Sequence, residues 1–286
     1  MSKDRVINRI DGNGSDKIPT GELLIDEEVI KSYLKYDKVT FDEKKEFVNE
    51  LDLDIITINP DIKEDSIDWK DLEKWAGNDI FKFVLLDGLF GWGVDEMGFE
   101  AFMIALMKQS KEFEDLKGKV RESFGKVAEN IEGRGADGII IADDIAYNKG
   151  VIVRPSLLRE YYFPWLAEIV EIFKELGFYV FFHSDGYLKD VIDDLIGTGI
   201  DGMQCIERAA GMDVDSLIEN YGEKLCFWGN VDISELMKPL NEEKLTDLIR
   251  SYVPQKANAR YIFGTSSGLV MGVDSDNLKI YKKIKE

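Results

Sequence analysis

The chain has 286 residues, of which 44% are hydrophobic and 32% are charged, so it can bury a large globular core. Its 36 basic and 56 acidic side chains give a net charge of −20, which argues against binding to nucleic acid or anionic membranes. The two cysteines, Cys205 and Cys226, form neither a CxxC pair nor a disulfide framework. With no signal peptide and no apolar run near the ~20 residues that span a bilayer, the sequence predicts a cytoplasmic protein.

The amino-terminal third has a weak pattern. Residues 1–50 are charged and predict a helical lead-in rather than a core. The glycine-rich stretch 87–93, which contains Asp87 and Trp92, predicts a loop, and its glycines match neither common phosphate-binding pattern. The elements predicted around it are a helix over 44–51, strands over 54–59 and 81–86, and a helical region over 99–132.

From residue 138 onward the pattern becomes regular. Strands are predicted over 138–142, 178–182, 201–205, 225–228 and 260–263. Helices are predicted over 155–176, with a kink or a break into two helices at Pro164, and over 188–195, 214–219, 242–252 and 276–285. Strands that alternate with helices in this way are typical of a parallel sheet with helical crossovers.

The fold class predicted first is an α/β protein with a (β/α)8 TIM barrel, and a doubly wound open sheet is the alternative. Seven strands are predicted, and an eighth is expected around residues 60–80. Polar residues follow strand after strand, and a barrel would gather them at one mouth. We therefore expect a single domain over residues 1–286. These polar residues are Asn59, Asp87, Asp143, Asp144, His183, Glu207, Asn230 and Ser266.

His183 is the only histidine in the chain, and it follows the aromatic strand 178–182 directly. A histidine at a strand end is often a hydrogen-bonded structural residue, but the carboxyl end of a barrel strand is also where catalytic groups collect. Asp185 follows two residues later and Glu207 follows the next predicted strand. These three residues are therefore the first candidates for a catalytic site.

A series of short motifs runs in a fixed order through the second half of the chain. They are Asp143-Asp144, Pro155, Tyr162-Phe163-Pro164-Trp165, the His-x-x-Gly turn at 183–186, residues 201–207, 210–213, Tyr221-Gly222 and 228–232, with Gly268 and Asn277 near the end. This series resembles the uroporphyrinogen decarboxylase superfamily, which includes cobalamin-linked methyltransferases. The resemblance covers about residues 80–286, implies a TIM barrel with a shortened amino-terminal segment, and favours the methyltransferase-like branch.

The chain departs from both branches of that superfamily. The arginine-rich segment that binds the substrate carboxylates in the decarboxylases is missing, and Arg5 and Arg9 are the only nearby candidates. The late histidine of the decarboxylases falls at Ser267, as does the late cysteine of the methyltransferases. The resemblance therefore argues against a true uroporphyrinogen decarboxylase and leaves the methyltransferase zinc site without its thiolates.

A zinc site built on carboxylates is the corresponding hypothesis. The resemblance implies zinc at the His183 position, and carboxylates can replace thiolates as zinc ligands at ~2.0–2.2 Å. His183, Asp185 and Glu207 would then hold the metal and form the catalytic set. The alternative is that Asp185 caps the following helix and that no metal binds there.

The predicted function is transfer of a methyl group from a small methoxylated or methylated substrate to a corrinoid, a cobalamin carried by a partner protein. Breaking a C–O bond needs a Lewis acid or a positioned acid to neutralise the leaving group. The residues expected to bind substrate are Asp144, Tyr147, Asn230, Asp87, Trp92 and Ser267. Of the adjacent pair Asp143 and Asp144, one is expected to be a solvated or capping carboxylate.

Two other classes of function stay open at this stage. A decarboxylase acting on a small acid or a porphyrinogen would need a cationic group, and only Arg154 and Arg208 lie near the motifs. A catalytically degenerate binding protein on the same barrel is the third alternative. The expected partners are a small-molecule substrate and a corrinoid-binding protein, and a homodimer is a further alternative that the sequence leaves open.

Overall fold

The computed structural model describes residues 2–15, 17–63, 66–238, 240–256 and 258–284. The helices are α1 Ser2–Ile10, α2 Glu27–Leu34, α3 Phe41–Glu50, α4 Lys70–Trp75, α5 Leu89–Met97, α6 Phe99–Lys108, α7 Lys111–Ile131, α8 Pro155–Leu157, α9 Phe163–Glu175, α10 Ile192–Gly197, α11 Val214–Tyr221, α12 Ile233–Met237, α13 Glu242–Arg250 and α14 Ser275–Ile284. The strands are β1 Ile55–Ile58, β2 Asp61–Lys63, β3 Ser66–Asp68, β4 Phe81–Asp87, β5 Gly138–Ala142, β6 Ala146–Tyr147, β7 Gly150–Val151, β8 Tyr179–His183, β9 Gly202–Gln204, β10 Cys226–Val231 and β11 Tyr261–Thr265. Within the described ranges, no helix combines the length and apolar character needed to cross a membrane.

The chain forms two compact units, which are described separately. The first unit comprises Met1–Thr57, Gly77–Lys82 and Met203–Glu286. The second unit comprises Ile58–Ala76 and Phe83–Gly202.

Parallel strands form the centre of the second unit. Strands β4, β5 and β8 are hydrogen-bonded in chain order, with Leu85 opposite Ile140 and Ile140 opposite Phe181. The consecutive residues 139–141 of β5 are all fully buried, as expected for a parallel strand that is covered on both faces. Helices α7 and α9 pack together on this unit, where the Phe124 and Trp165 rings lie 6.3 Å apart. This core fixes the strand ends that carry the candidate site.

The first unit contains the sheet position that the sequence pattern missed. Strands β10 and β11 are parallel, and Thr20 makes a parallel bridge to Phe263 of β11. Gly21 makes a parallel bridge to Ile55 of β1, so residues 20–21 lie between β11 and β1. The eighth strand expected around residues 60–80 is therefore wrong: that region holds the antiparallel pair β2–β3 and helix α4. Its strand side chains are exposed or half-buried, unlike those of a barrel strand.

A close backbone contact supports this position. The Trp228 indole N–H donates to the Gly21 carbonyl oxygen at 3.1 Å. A Cβ atom at Gly264 would lie 2.1 Å from that same oxygen, so only glycine fits there. The amino-terminal segment thus contributes backbone to the sheet, in addition to its helices.

Most predicted elements are confirmed, but helix α10 begins at Ile192 instead of residue 188, and three other elements differ. The helical region 99–132 divides into α6 and α7 because Gln109 adopts a left-handed backbone (φ 49°). The predicted helix 155–176 is helical but interrupted: a π-helical turn, Leu158–Tyr162, separates α8 from α9, and Pro164 lies in the first turn of α9. The stretch 87–93 is wrong as a loop, since α5 begins at Leu89. The last predicted helix is α14, and Lys285 lies outside the described residues.

Candidate active site

The candidate site lies at the carboxyl ends of three neighbouring strands of the second unit. Asp87 at the end of β4 is opposite Ala142 of β5, and Ala142 is opposite His183 of β8. Because side chains alternate along a strand and partners in register share a face, these three point to the same side of the sheet. Two strand spacings of about 4.8 Å place the Asp87 and His183 backbones about 10 Å apart.

Asp144, His183 and Asp185 form a cluster of metal-ligand type at this level. One ligand atom from each lies within 4.8 Å of the others. Asp144 Oδ1 is 3.9 Å from His183 Nε2 and accepts a hydrogen bond from the Asp185 backbone N–H at 3.0 Å. The His183 side chain is 12% exposed and that of Asp144 is 63% exposed, so the cluster is largely buried at His183 and open to solvent at Asp144.

The donor set of this cluster fits zinc. One imidazole nitrogen and two carboxylate oxygens are three zinc ligands, and three protein ligands with an open fourth position are typical of catalytic zinc sites. The cluster contains His183 and Asp185, which were expected as ligands, and adds Asp144, which was expected to bind substrate.

The turn after His183 is held in place by short-range contacts. The buried Ser184 hydroxyl accepts a hydrogen bond from the Ile145 backbone N–H at 3.1 Å and donates to the Asp185 carbonyl at 3.0 Å. Gly186 has a φ of 92°, and a Cβ atom there would lie 2.7 Å from the Tyr147 backbone nitrogen. The turn therefore packs directly on the β6–β7 hairpin, and any side chain at 186 would displace it.

Asp143 does not join the cluster, because its side chain is buried on the other side of the strand. It accepts hydrogen bonds from the backbone N–H groups of Phe90 (2.6 Å) and Gly91 (3.1 Å) in the first turn of α5, and from the Tyr162 hydroxyl (2.7 Å). Burial raises the pKa of Asp143 to about 7, although these hydrogen bonds oppose the rise. Burial also holds the pKa of Tyr162 well above its usual range. The expectation that one of the two adjacent aspartates caps a helix is confirmed for Asp143.

A cavity of about 290 Å³ adjoins Asp87 in the second unit. Partial loss of water raises the pKa of Asp87, and the negative charge of Asp95 raises it further. Trp92 is half-buried on α5 and lines the same cavity, whereas the Tyr147 side chain is 54% exposed on the β6–β7 hairpin. The lining residues are Asn59, Pro60, Ile62, Leu85, Leu86, Asp87, Trp92, Asp95, Glu96, Ser123, Phe124 and Val127. Sequence patterns singled out neither Asp95 nor Glu96.

Three predicted site residues belong to the first unit. Glu207 is half-buried, precedes the Arg208–Ala210 turn, and its carbonyl accepts from the Met212 backbone N–H at 3.1 Å. Asn230 is buried, and its Oδ1 accepts from the Tyr261 hydroxyl at 2.9 Å. Ser267 is half-buried after β11. The ligand role of Glu207 and the substrate roles of Asn230 and Ser267 stay predictions.

Glu22 is a buried carboxylate that the sequence did not reveal. In the first unit it accepts from the Thr265 backbone N–H at 3.1 Å and from the Tyr281 hydroxyl at 2.8 Å. It therefore ties the amino-terminal segment to β11 and α14. Glu22 lies in a segment without clear periodicity, and its partners are more than 240 residues away in sequence, so no local signal marks it.

The candidate site lies at strand ends of an α/β fold of the TIM-barrel class. A solved structure of a methyltransferase from Methanosarcina mazei matches with a TM-score of 0.77 and 14% identity, over 99% of this chain and 98% of that chain. The fold is therefore the predicted (β/α)8 TIM barrel. An AP endonuclease, family 2, from Brucella melitensis matches with a TM-score of 0.51 and 10% identity, over 87% and 95% of the two chains.

The sequence comparisons define the family. The family model described as uroporphyrinogen decarboxylase (URO-D) matches residues 92–284, which is more than half of the chain. The chain belongs to the uroporphyrinogen decarboxylase family, and the resemblance drawn from its motifs is confirmed. A search of curated proteins found no significant match.

Proposed function

We propose that this protein is a methyltransferase that moves a methyl group from a small methoxylated or methylated donor to a corrinoid carried by a partner protein. The observation that carries the proposal is the cluster of Asp144, His183 and Asp185 at the strand ends. Membership of the uroporphyrinogen decarboxylase family and the likeness of fold to a protein named as a methyltransferase support it.

The three cluster residues would hold a zinc ion, and Glu207 would not be needed to complete a three-ligand set. Such an ion, when bound, neutralises the negative charge that develops on the leaving oxygen or nitrogen of the donor. Asp144 and Asp185 also constrain each other, since the Asp185 backbone N–H donates to Asp144. Their roles are therefore to bind and orient.

Asp87 is proposed to supply a proton. Its raised pKa increases the fraction of carboxylic acid that is available to protonate the departing alkoxide, phenolate or amine. In the overall step the C–O or C–N bond would break, and the reduced corrinoid of the partner would supply the electron pair that accepts the methyl group. The leaving group keeps its bonding electrons and takes up the proton.

The corrinoid protein and a cytoplasmic location are part of the same proposal. Co(I) survives only under reducing conditions, and both cysteines of the chain are buried free thiols. An exposed Asp144 and a Tyr147 side chain that is 54% exposed leave this face of the second unit accessible to a large partner.

A decarboxylase acting on a small acid or a porphyrinogen is the second candidate. The raised pKa of Asp87 favours it, because decarboxylation leaves a carbanion that needs a proton. Two arginines that could have received substrate carboxylates have other partners: Arg5 pairs with Asp54, and Arg9 donates to the Ala259 carbonyl at 3.0 Å. The cavity lining beside Asp87 contains no basic residue among the described part of the chain, which disfavours a carboxylate-rich substrate.

The test is incubation of the zinc-supplemented protein with Co(I) corrinoid, free and protein-bound, and a panel of methoxylated aromatics, methanol and methylamines. We expect wild type and the Asp115→Asn control to form methyl-cob(III)alamin. His183→Ala should not form it. Asp115 is exposed on α7 and lines no part of the cavity. Absence of methyl-cobalamin across the whole panel would reject the proposal, and release of labelled CO2 from carboxylated compounds would favour the second candidate.

A further inference from the structure

The cavity beside Asp87 is also lined by Asp95, Glu96 and Trp92, which the methyl-transfer proposal does not use. Its volume of about 290 Å³ lies near the lower end of the range for ligand pockets, about 300–1,000 Å³. Its walls are largely apolar, with Leu86, Phe124 and Val127 as examples, and its charged members are all acidic. A small ligand with an apolar body is the size and shape that this space accepts.

Two of the three carboxylates that line the cavity have no cationic partner among the described residues. Asp87 and Asp95 make no ion pair with any residue that the structure describes. The negative charge of Asp95 raises the pKa of Asp87, because like charges repel. A positively charged ligand would relieve this repulsion, whereas a neutral or negative ligand would not.

The third carboxylate shows what kind of cation fits. Glu96 pairs with the Lys119 ammonium, and the Lys119 Nζ lies 5.6 Å from the centre of the Trp92 ring. An ammonium group of the chain itself is therefore bound by a carboxylate and a tryptophan face that both line the cavity. Attraction between an ammonium and the face of an indole is the strongest of the common cation–π pairs.

We propose that this cavity is a binding site for a small organic ammonium ion, with Asp95 and Asp87 neutralising the charge and Trp92 with its apolar neighbours covering the alkyl part. Small ammonium ions suit the site better than metal ions, because a metal ion would gain nothing from the apolar walls. The site shares Asp87 with the proposed methyl transfer, but none of Asp144, His183 and Asp185 lines it, and Asp95→Asn tests it without changing Asp87.

Three compounds with the same tert-butyl group test the charge requirement. Tert-butylammonium, tert-butanol and pivalate are positive, neutral and negative, and each gives one sharp methyl signal for ligand-observed NMR. We expect saturation transfer from the protein to tert-butylammonium. Its affinity should be at least roughly threefold higher than that of tert-butanol, and pivalate should not bind. Added salt should weaken binding of the cation, since exposed charges are screened. Equal binding of all three compounds, or binding of none, would overturn the proposal.

Variants locate the site and separate it from general charge effects. Asp95→Asn should weaken binding of the cation roughly threefold or more, whereas Asp115→Asn, which removes the same charge from an exposed position, should not. Trp92→Leu should weaken binding of tert-butylammonium but not binding of tert-butanol. Lys119→Met removes the internal ammonium from Glu96 and Trp92, so it should tighten binding of the cation, a gain that misfolding cannot mimic. Equal effects of Asp95→Asn and Asp115→Asn, or no gain with Lys119→Met, would contradict the proposal.

Discussion

The Tyr162 hydroxyl donates a hydrogen bond to Asp143 Oδ2 at 2.7 Å, and both residues are buried. Tyr162 is the last residue of the π-helical turn Leu158–Tyr162, and Asp143 also caps the first turn of α5. The pair therefore connects two helices to the end of β5, immediately before Asp144. The contact therefore helps to hold α5 and the π-helical turn against the residues that lead to Asp144.

Tyr162→Phe is predicted to destabilise the protein by about 1–3 kcal/mol, because it leaves a buried carboxyl group without one of its donors. Urea unfolding measures the change. Tyr161→Phe is the matched control, since its hydroxyl contacts the Glu160 and Gln109 side chains and no buried carboxylate, and it should change stability by less than about 0.5 kcal/mol. Similar values for the two variants would show that the buried hydrogen bond contributes little.

Asp143 is predicted to make stability depend on pH between about 4 and 7. Its pKa is about 7 in the folded protein against an ordinary value of 3.8, so the folded state retains a proton that the unfolded chain has released. The contribution of Asp143 is therefore fully present below about pH 4 and is lost as the pH rises through about 7.

Asp143→Asn isolates this effect, because every other titrating group is shared with wild type. The stability of wild type relative to Asp143→Asn, measured by urea unfolding at several pH values, should fall from pH 4 to 7 and level off above. A difference that stays constant, or that changes in the opposite direction, would show that Asp143 is ionised in the folded protein throughout this range.

Gly264→Ala is predicted to destabilise the first unit by about 1–3 kcal/mol, since the new methyl group would meet the Gly21 carbonyl oxygen. Gly118→Ala, in the interior of α7 with open space around the added carbon, should be neutral or stabilising by up to about 1 kcal/mol. Thermal unfolding compares the two. Equal effects would mean that residues 20–21 do not pack against β11 as described.

The parts of the fold that sequence could predict are those fixed by local pattern. The apolar run Gly138–Ala142 ends in two aspartates and predicts a strand and its end correctly. Residues 20–21 were missed because Thr20 and Gly21 carry no apolar alternation, and their pairing depends on β1 and β11. Helix α5 was missed because its glycines favour a loop, while the carboxylate that caps it, Asp143, lies more than 50 residues away.

The candidate site was predicted in part for the same reason. His183 is unique, and its place after an aromatic strand identifies it from sequence alone. The choice of its neighbours depends on the register of adjacent strands, which places Ala142 beside His183 and so brings Asp144 within reach. Asp95 and Glu96 follow a glycine-rich stretch with no pattern, so the cavity that they line could not be foreseen.

Zinc binding is predicted to involve the only histidine of the chain, which makes the test unambiguous. Titration with Zn²⁺ should shift a single set of imidazole proton signals in the NMR spectrum, with saturation at one ion per chain. Asp144→Asn and Asp185→Asn should each weaken the affinity on the order of tenfold or more, whereas Asp115→Asn should not. Unchanged imidazole signals at stoichiometric zinc would rule out His183 as a ligand.

The central claim is that the site around His183 transfers a methyl group to cobalt. It is tested most directly by single-turnover reaction of a 13C-methyl-labelled donor with Co(I) corrinoid, followed by 13C NMR. The account predicts a labelled methyl–cobalt signal with wild type and Asp115→Asn, and its loss with His183→Ala. Label that stays on the donor, or that reaches cobalt equally well with His183→Ala, would contradict the account.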